Sequence, residues 1–265
     1  MTHDARRPLS DLHVHSTNSF DGRGTVAAMC ERAVELGLER IAFTEHVDFE
    51  PTDIGYGYYD YERSLRDIAA AREQFGNSLA ILNGVEVDYQ PAFHQDVVRF
   101  LSDKHFDLVI GAAHYVNHQW VERDYLPGRD MAETYPAYFR AIRAVAVSGL
   151  FEVLAHFDLC KRLGHVFYGP YDPRDFRGVI REALAAMVER DMALEINTSG
   201  LRQPPGEPYP PAQVVQWFRE LGGRRICLGS DAHEPSQVGF GFERAVAVAE
   251  EAGFTPAANG LLSAL

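Results

Sequence analysis

The chain has 265 residues, of which 46% are hydrophobic and 24% charged, a composition typical of a globular enzyme rather than of a fibrous or disordered protein. Its formal net charge of −13 at pH 7 disfavours passive attraction to nucleic acid or anionic lipid, because both are polyanions. No apolar stretch is long enough to span a bilayer, and the first residues do not resemble a signal peptide.

Seven apolar, β-like runs alternate with helical patterns along the chain. The predicted strands are residues 9–14, 40–43, 79–87, 106–112, 151–155, 192–196 and 225–228. The predicted helices are residues 25–36, 60–75, 91–102, 131–148, 175–190, 211–221 and 235–252. Such alternation implies parallel strands joined by right-handed crossovers. Without a linker between the units, we expect residues 1–265 to form one closed barrel, with an open doubly wound sheet as the alternative.

Three long loops, residues 44–59, 114–130 and 197–210, follow the carboxyl ends of strands. This is the edge at which barrel enzymes build their active sites. The first loop is acidic and aromatic, with Asp48, Glu50, Asp53, Tyr56, Tyr58 and Tyr59. Its composition is typical of a solvated surface loop, and it also suits a lid over a cationic substrate.

Histidines recur at or just past the ends of the predicted strands. The motifs Asp-Leu-His-Val-His and Gly-Ser-Asp-Ala-His flank the predicted barrel, and side chains two residues apart on a strand point to the same side. Six of the eleven histidines share these positions: His13, His15, His46, His114, His156 and His233. Random placement would scatter them over both ends of the barrel. The pattern therefore predicts a polynuclear metal centre.

Carboxylates complete this constellation. Glu86 ends an apolar run, where an unpaired charge would be costly unless it bridges two cations, and Asp231 lies too far upstream of the next helix to cap it. Asp21 stands in an Asp-Gly pair, which alone indicates a turn. Imidazole and carboxylate ligands together suit Zn, Mn or Fe. The three scattered cysteines argue against a disulfide framework and predict a cytoplasmic protein.

The same motifs, in the same order, resemble the polymerase-and-histidinol-phosphatase (PHP) superfamily. They are Asp11-Leu12-His13-Val14-His15-Ser16 with Asp21-Gly22, Phe43-Thr44-Glu45-His46, Gly84-Val85-Glu86, Ala113-His114, Ala155-His156-Phe157-Asp158 and Gly229-Ser230-Asp231-Ala232-His233. A shorter match, Glu195 to Arg202 followed by Glu-Pro-Tyr-Pro, resembles its histidinol-phosphatase branch. The match extends over essentially the whole chain.

The resemblance implies a distorted (β/α)7, TIM-like barrel that carries three metals. It implies that one metal is held by His13, His15, Glu86 and Asp231. It assigns the second to Glu86, His114 and His156, and the third to Asp21, His46 and His233. Asp21 is thereby promoted from turn residue to ligand, and the sixth strand supplies no ligand.

Phosphate needs donors besides metals. Arg202, in the sixth loop, could bind phosphate oxygens through its planar guanidinium, and Lys161 and Arg162 are the next candidates. Tyr115, beside His114, could reach the pocket or only pack the rim. For each of these residues a solvated or structural role is the competing interpretation.

The leading hypothesis is a phosphomonoesterase that converts L-histidinol phosphate and water to L-histidinol and phosphate. Metal-activated hydroxide would attack phosphorus at the Glu86 bridge, and Asp231 or His233 would relay a proton to the leaving alcohol. The expected partner is a small phosphoester, without membrane or nucleic acid. The alternatives are another small substrate, such as a nucleotide or sugar phosphate, an amidohydrolase, or a metal-binding scaffold without activity.

Overall fold

The fold is described from a computed structural model of the chain, which covers residues 9–256 and 262–264. The expectation about a signal peptide concerns residues that lie outside this range. The strands are β1 (Ser10–Val14), β2 (Arg40–Val47), β3 (Ala80–Asp88), β4 (Leu108–Ala112), β5 (Tyr115–Val116), β6 (Gln119–Trp120), β7 (Val153–Leu154), β8 (Ala193–Asn197), β9 (Arg225–Gly229), β10 (Phe254–Pro256) and β11 (Leu262–Ala264). The α-helices are α1 (Val26–Leu36), α2 (Tyr61–Phe75), α3 (His94–Ser102), α4 (Met131–Ser148), α5 (Lys161–Tyr168), α6 (Arg177–Glu189), α7 (Ala212–Glu220) and α8 (Phe242–Glu251).

Seven strands form a parallel barrel in the order β1-β2-β3-β4-β7-β8-β9. Each neighbouring pair in this order is parallel, as expected when helices cross over between successive strands. The carboxyl ends of all seven strands therefore meet at one rim. The distorted (β/α)7 barrel expected from the sequence is confirmed. Within the described residues, no helix has the length and apolarity needed to cross a bilayer.

The barrel closes between β9 and β1, and the two ends of β9 have different neighbours. Its amino end pairs antiparallel with β11, which in turn pairs with β10. Beyond its carboxyl end, the Asp231 N–H donates to the His13 carbonyl and the His15 N–H donates to the Ala232 carbonyl, each at 2.8 Å. The inserted β11 explains the distortion at one end. At the other end, the backbone bonds hold two ligand-bearing segments side by side.

The buried carboxylate of Asp11 reinforces this closure. It accepts hydrogen bonds from the N–H groups of Ser230 and Gly239, both at 2.9 Å. Burial raises the pKa of Asp11 to about 6, while these N–H groups favour its charged form. The carboxylate therefore ties β1 to the segment that carries the last two predicted ligands.

Apolar side chains pack on both sides of the barrel wall. On β2, Ile41 and Phe43 belong to the large cluster formed with the helices, whereas Ala42 between them belongs to a second, smaller cluster. Alternate residues of a strand point to opposite faces, so the second cluster fills the barrel interior. Its buried members are Leu12, Ala42, Ile110, Ala112, Val153, Ala155, Ala193 and Cys227. Small residues dominate this interior, and the polar site lies above them.

Local signals place α1 where the sequence predicts it. The Thr25 hydroxyl accepts a hydrogen bond from the Ala28 N–H at 3.2 Å, which caps the first turn. Gly37 ends the helix in the left-handed conformation, with φ 71°, a backbone region that glycine adopts without a Cβ penalty.

Three predicted boundaries are wrong, each for a local reason. Strand β2 continues to Val47 instead of ending at residue 43, because it stays in parallel register with β3 through polar residues that look like loop. The predicted loop 114–130 contains the β5–β6 hairpin, whose turn residues Asn117 and His118 have φ 51° and 60°. The predicted helix 235–252 is interrupted, because Gly239 and Gly241 take positive φ before α8 begins. Helix α5 was not predicted.

Candidate metal centre and adjoining cleft

All nine predicted metal ligands lie at the carboxyl rim of the barrel. They come from β1 and the loop after it, from β2 and β3, and from the segments after β4, β7 and β9: His13, His15, Asp21, His46, Glu86, His114, His156, Asp231 and His233. The imidazoles pack closely, and the ring centroid of His15 lies 4.1 Å from that of His46 and 4.4 Å from that of His233. The structure thus brings together every ligand named from the sequence.

The carboxylate of Glu86 is the centre of this cluster. Its side chain is fully buried, and both oxygens face imidazole nitrogens. Five of these distances are below 4 Å. Oε1 lies 2.8 Å from His156 Nε2 and 3.8 Å from His114 Nε2. Oε2 lies 2.9 Å from His46 Nδ1, 3.4 Å from His13 Nε2 and 3.6 Å from His15 Nε2. One carboxylate therefore links two halves of the cluster, as expected of a bridging ligand.

Asp21 joins the cluster from the loop after β1. Its carboxylate oxygens lie 3.2 Å from His233 Nε2 and 3.8 Å from His46 Nε2. The other nitrogen of His233, Nδ1, is 3.0 Å from the Asp231 carbonyl, which fixes the ring orientation. The Asp-Gly turn thus carries a carboxylate in ligand range, which composition alone did not indicate.

Hydrogen bonds on the far side of two imidazoles show which nitrogens face the centre. Glu195 accepts a hydrogen bond from His13 Nδ1 at 2.7 Å. The Ser19 hydroxyl donates to Glu45 at 2.5 Å, so it accepts from His15 Nδ1 at 3.2 Å. The Nε2 atoms of the two histidines then lie 3.0 Å apart, beside the central carboxylate. This arrangement needs a positive charge between the two nitrogens, either a proton or a metal ion.

The electrostatics of the cluster also fit bound cations. Burial and the nearby His46 and His233 lower the pKa of His15 to about 3, so this ring is neutral at physiological pH. Burial opposes charge on His13, but the carboxylates around it, Glu195 first, raise its pKa well above the usual range. Glu86 Oε2 lies 2.9 Å from His46 Nδ1, and among the described atoms His156 Nδ1 has no hydrogen-bond partner. The carboxylates that favour a proton on His13 would equally favour a divalent cation beside its ring, and a neutral imidazole such as that of His15 is a ligand for such a cation.

Three groups of potential ligand atoms lie mutually within 4.8 Å in the described part of the chain. They are His13, His15 and Asp231; His13, Glu86 and His156; and His15, His46 and His233. The first group agrees with one implied metal. Each of the other two groups differs from the implied scheme by one residue. His13 is in the second group and His15 is in the third, although the scheme gives both to the first metal.

Two of the ligand residues have a strained backbone. His156 has φ 22° and Asp231 has φ 52°, backbone conformations that residues other than glycine rarely adopt. The His156 N–H donates to Glu195 at 2.7 Å, and the Asp231 N–H is held by β1. Strain of this kind persists where surrounding bonds over-determine the conformation, and it concentrates at functional sites.

Glu195 supports two of the predicted ligands and was not among the residues predicted for the site. It is fully buried in β8 and its oxygens accept hydrogen bonds from His13, from the His156 N–H and from Asn197 Nδ2 (3.1 Å). A Cβ at Gly229 would lie 1.9 Å from Glu195 Oε1, so glycine is required there. Carboxylates in this position fix the tautomer and orientation of a ligating histidine. The argument that identified Glu86, a charge within an apolar strand, applies equally to Glu195.

A cleft of about 460 Å³ opens beside the histidine cluster. Arg202 lines it, and its Nη2 donates to the carbonyls of Ser230 (2.9 Å) and Asp231 (3.3 Å). Its Nη1 is buried and has no partner among the described residues. Burial lowers the pKa of Arg202, against the effect of Asp231. Nη2 is therefore bound to the backbone, and Nη1 is the terminal guanidinium nitrogen without a protein partner.

The other two predicted cations differ from each other. Arg162 lines the cleft and is held by both carboxylate oxygens of Glu122. Lys161 does not line it, because its ammonium is bound by Glu207 (2.9 Å), the Pro208 carbonyl (2.9 Å) and Asp158 (3.1 Å). The structure therefore brings Arg162 to the cleft and gives Lys161 a buried structural role.

Tyr115 also lies outside the cleft lining. It is buried in the β5–β6 hairpin, and its hydroxyl donates to Asp53 at 2.5 Å. Burial, together with this carboxylate, raises the pKa of Tyr115 above its usual range. The side chain packs the rim and ties the loop after β2 to the hairpin, which is the structural alternative left open by the sequence.

Comparisons with known proteins agree with this geometry. The PHP domain family model matches residues 11–199. The probable histidinol-phosphatase of Deinococcus radiodurans is 30% identical over 253 residues, which cover 90% of this chain and 91% of the relative. The histidinol-phosphatase of Bacillus subtilis is 28% identical over 265 aligned positions, which cover 88% of this chain and 96% of the relative. A crystal structure of the histidinol phosphate phosphatase of Lactococcus lactis contains zinc, L-histidinol and phosphate. Its chain is 25% identical to this one, and the match covers 93% of this chain and 94% of that chain with a TM-score of 0.83.

Replacing Glu195 by glutamine should weaken metal binding without unfolding the protein. The glutamine amide would turn a donor towards either His13 Nδ1 or the His156 N–H, so one ligand loses its orientation. We expect metal affinity to fall about 10- to 100-fold in competition with a chelator. The exposed Glu189→Gln change on α6 is the matched control. Wild-type affinity in Glu195→Gln would leave Glu195 with a purely structural role.

Proposed function

The chain belongs to the PHP domain family, and from this membership we propose that it is a metal-dependent phosphomonoesterase that hydrolyses L-histidinol phosphate to L-histidinol and phosphate. The observation that carries the proposal is the convergence of five imidazoles on the carboxylate of Glu86, at the floor of a cleft lined by arginines. The similarity to histidinol phosphatases over nine-tenths of the chain supports the choice of substrate.

We assign the nine ligands to three cations in the scheme that the family resemblance implies. One cation is held by His13, His15, Glu86 and Asp231, one by Glu86, His114 and His156, and one by Asp21, His46 and His233. The donor set suits Zn, Mn or Fe, and zinc is present in the Lactococcus lactis relative. Bound divalent cations lower the pKa of water towards about 7, which supplies a nucleophile at neutral pH. With three carboxylates and six neutral imidazoles, the loaded centre would be positive and would attract phosphate.

The residues around the cleft then have separate tasks. Arg202, through Nη1, and Arg162 would neutralise phosphoryl oxygens as the oxygen–phosphorus bond to the alcohol breaks. A proton must reach the departing alkoxide, and Asp231 or His233, which line the cleft, would relay it. Burial raises the pKa of the Cys160 thiol well above its usual range. A covalent phosphocysteine therefore has no place in this scheme.

The alternative activities receive less support. Amidohydrolase sites often carry a bridging lysine after the fourth strand, where this chain has His114, and no lysine lines the cleft in the described part of the chain. A non-catalytic scaffold would be expected to have lost ligands, and all nine are present and adjacent. Another small phosphoester, such as a nucleotide or sugar phosphate, remains the second substrate class. We further propose that residues 1–265 form one domain and that the protein acts in the cytoplasm, where its three buried free thiols stay reduced.

Hydrolysis of L-histidinol phosphate tests the proposal. We expect phosphate release by the metal-loaded protein, loss of activity after chelation, and recovery when Zn or Mn is restored. Glu86→Gln should have no detectable turnover, because the bridge loses its charge, and it should keep the wild-type circular dichroism spectrum. Glu182→Gln, on the exposed face of α6, is the control. Chelator-resistant hydrolysis, or an active Glu86→Gln protein, would contradict the proposal.

Arg202→Ala should raise KM about tenfold and also lower kcat, because the same phosphoryl oxygens carry charge in the substrate and in the transition state. Metal content should not change, since Asp231 keeps its backbone bond to His13. Arg202→Lys should recover part of the loss. The exposed Arg140→Ala serves as a control for loss of a surface charge. Unchanged kinetics in Arg202→Ala would make this residue structural only.

A further inference from the structure

Asp48 is a buried carboxylate that lines the cleft without a partner. It follows β2, and only 8% of its surface is exposed. Among the described residues, its carboxylate has no hydrogen bond and no ion pair within 4 Å, and His46 attracts it electrostatically from farther away. A buried, unpaired carboxylate is costly, and it persists in native proteins chiefly where a ligand supplies the missing charge.

Two further carboxylates strengthen the negative field at this point. Asp53 also lines the cleft and accepts hydrogen bonds from Tyr115 (2.5 Å) and the Gly55 N–H (2.6 Å). Behind them, Asp88 accepts one from the His114 N–H (2.6 Å), while its Oδ2 has no partner among the described residues. A cation in the cleft would offset the mutual repulsion of these carboxylates.

Aromatic side chains complete the wall. Phe20 and Trp120 line the cleft together with the two acids, and the Arg123 guanidinium lies 5.0 Å from the Trp120 ring centroid. The Cα of Gly55 approaches both the Phe20 ring and Asp48 so closely that a Cβ would lie 2.7 Å and 2.8 Å from them. Carboxylates next to aromatic faces suit an organic cation, which gains both ion pairing and cation–π contact. We call Phe20, Asp48, Asp53 and Trp120 the acidic wall.

The acidic wall lies across the barrel from the arginines. In the strand order, β2 is three steps from β7 through β3 and β4, and three steps from β8 through β1 and β9. Asp48 follows β2, whereas Arg162 and Arg202 follow β7 and β8. Arg162 and Arg202 therefore lie on the other side of the cleft from the acidic wall, with the histidine cluster at its base, and Arg23 from the loop after β1 also lines the cleft.

A metal ion is a poorer occupant of the acidic wall than an organic cation. In the described part of the chain, no group of three potential ligand atoms includes Asp48, Asp53 or Asp88. An ammonium or imidazolium group needs only one or two carboxylate contacts and a planar apolar neighbour. The wall offers these and lacks the convergent oxygens that a hard metal ion requires.

We propose that Asp48, assisted by Asp53, binds the positively charged nitrogen group of the alcohol part of the substrate, so that the enzyme selects phosphomonoesters of cationic amino alcohols. This inference rests on the proposed phosphatase function, which it extends from the phosphate to the leaving group. Asp48 acts as a specificity-determining residue. The substrate spans the cleft with its phosphate towards the arginines and its cation towards the acidic wall.

The experiment compares kcat/KM for L-histidinol phosphate with kcat/KM for glycerol 3-phosphate, whose alcohol is neutral. Asp48→Asn should lower the ratio of the two values about tenfold or more, the size expected for one charge-assisted contact. The ratio is insensitive to partial metal loss, which lowers both values together. Glu50→Gln is the matched control, because Glu50 is on the same loop but is bonded to His118 and Thr52 and does not line the cleft.

Three outcomes would overturn the inference: a ratio near one in the wild type, an unchanged ratio in Asp48→Asn, or an equal fall in Glu50→Gln. Calorimetric binding of L-histidinol alone separates this failure from failure of the proposed function. Weaker L-histidinol binding in Asp48→Asn, in a protein that hydrolyses neither phosphoester, would support the acidic wall and refute the phosphatase. Hydrolysis with an unchanged ratio would support the phosphatase and refute the acidic wall.

Discussion

The burial of one carboxylate among five imidazoles is the constraint on which the rest of the structure depends. Glu86 cannot be hydrated at the end of β3, and His13 and His15 beside it already use their Nδ1 atoms for other bonds. An apolar barrel tolerates such a charge only when cations compensate it. The fold makes this possible because parallel strands deliver ligands from β1, β2, β3, β4, β7 and β9 to one rim, although they are far apart in sequence.

A second set of carboxylates holds the ligands rather than facing the centre. Glu195 fixes His13 and the strained backbone of His156, Glu45 acts on His15 through Ser19, and Asp11 closes the barrel behind the last motif. Most of these bonds are made by side chains that never reach the cleft. The positions of the predicted ligands are therefore held by bonds within the protein, as preorganised metal sites require. The same bonds would keep the acidic wall and the two arginines on opposite sides of the cleft.

The sequence predicted which histidines and carboxylates meet at the rim, because such a residue after a buried strand has few structural explanations, and their role as metal ligands stays a prediction. It predicted the supporting residues poorly. Glu195 is a charge within an apolar strand, as Glu86 is, but what it supports is visible only in the folded chain, because its partners lie 182 and 39 residues away. Lys161 and Tyr115 were placed near phosphate by sequence proximity to ligands, but a rigid rim turns neighbouring side chains in different directions. Strand β2 was predicted too short because register with β3, not local composition, decides where it ends.

Anomalous X-ray diffraction from crystals of the metal-loaded protein, recorded at the absorption edges of zinc, manganese and iron, tests the central claim most directly. The account predicts three peaks at the barrel rim, each about 2.0–2.3 Å from imidazole nitrogens or carboxylate oxygens, with Glu86 touching two of them. It also predicts that the Glu86 side chain hardly moves when the metals enter. A peak pattern that leaves Glu86 without a metal, or metals bound away from His13 and His15, would contradict it.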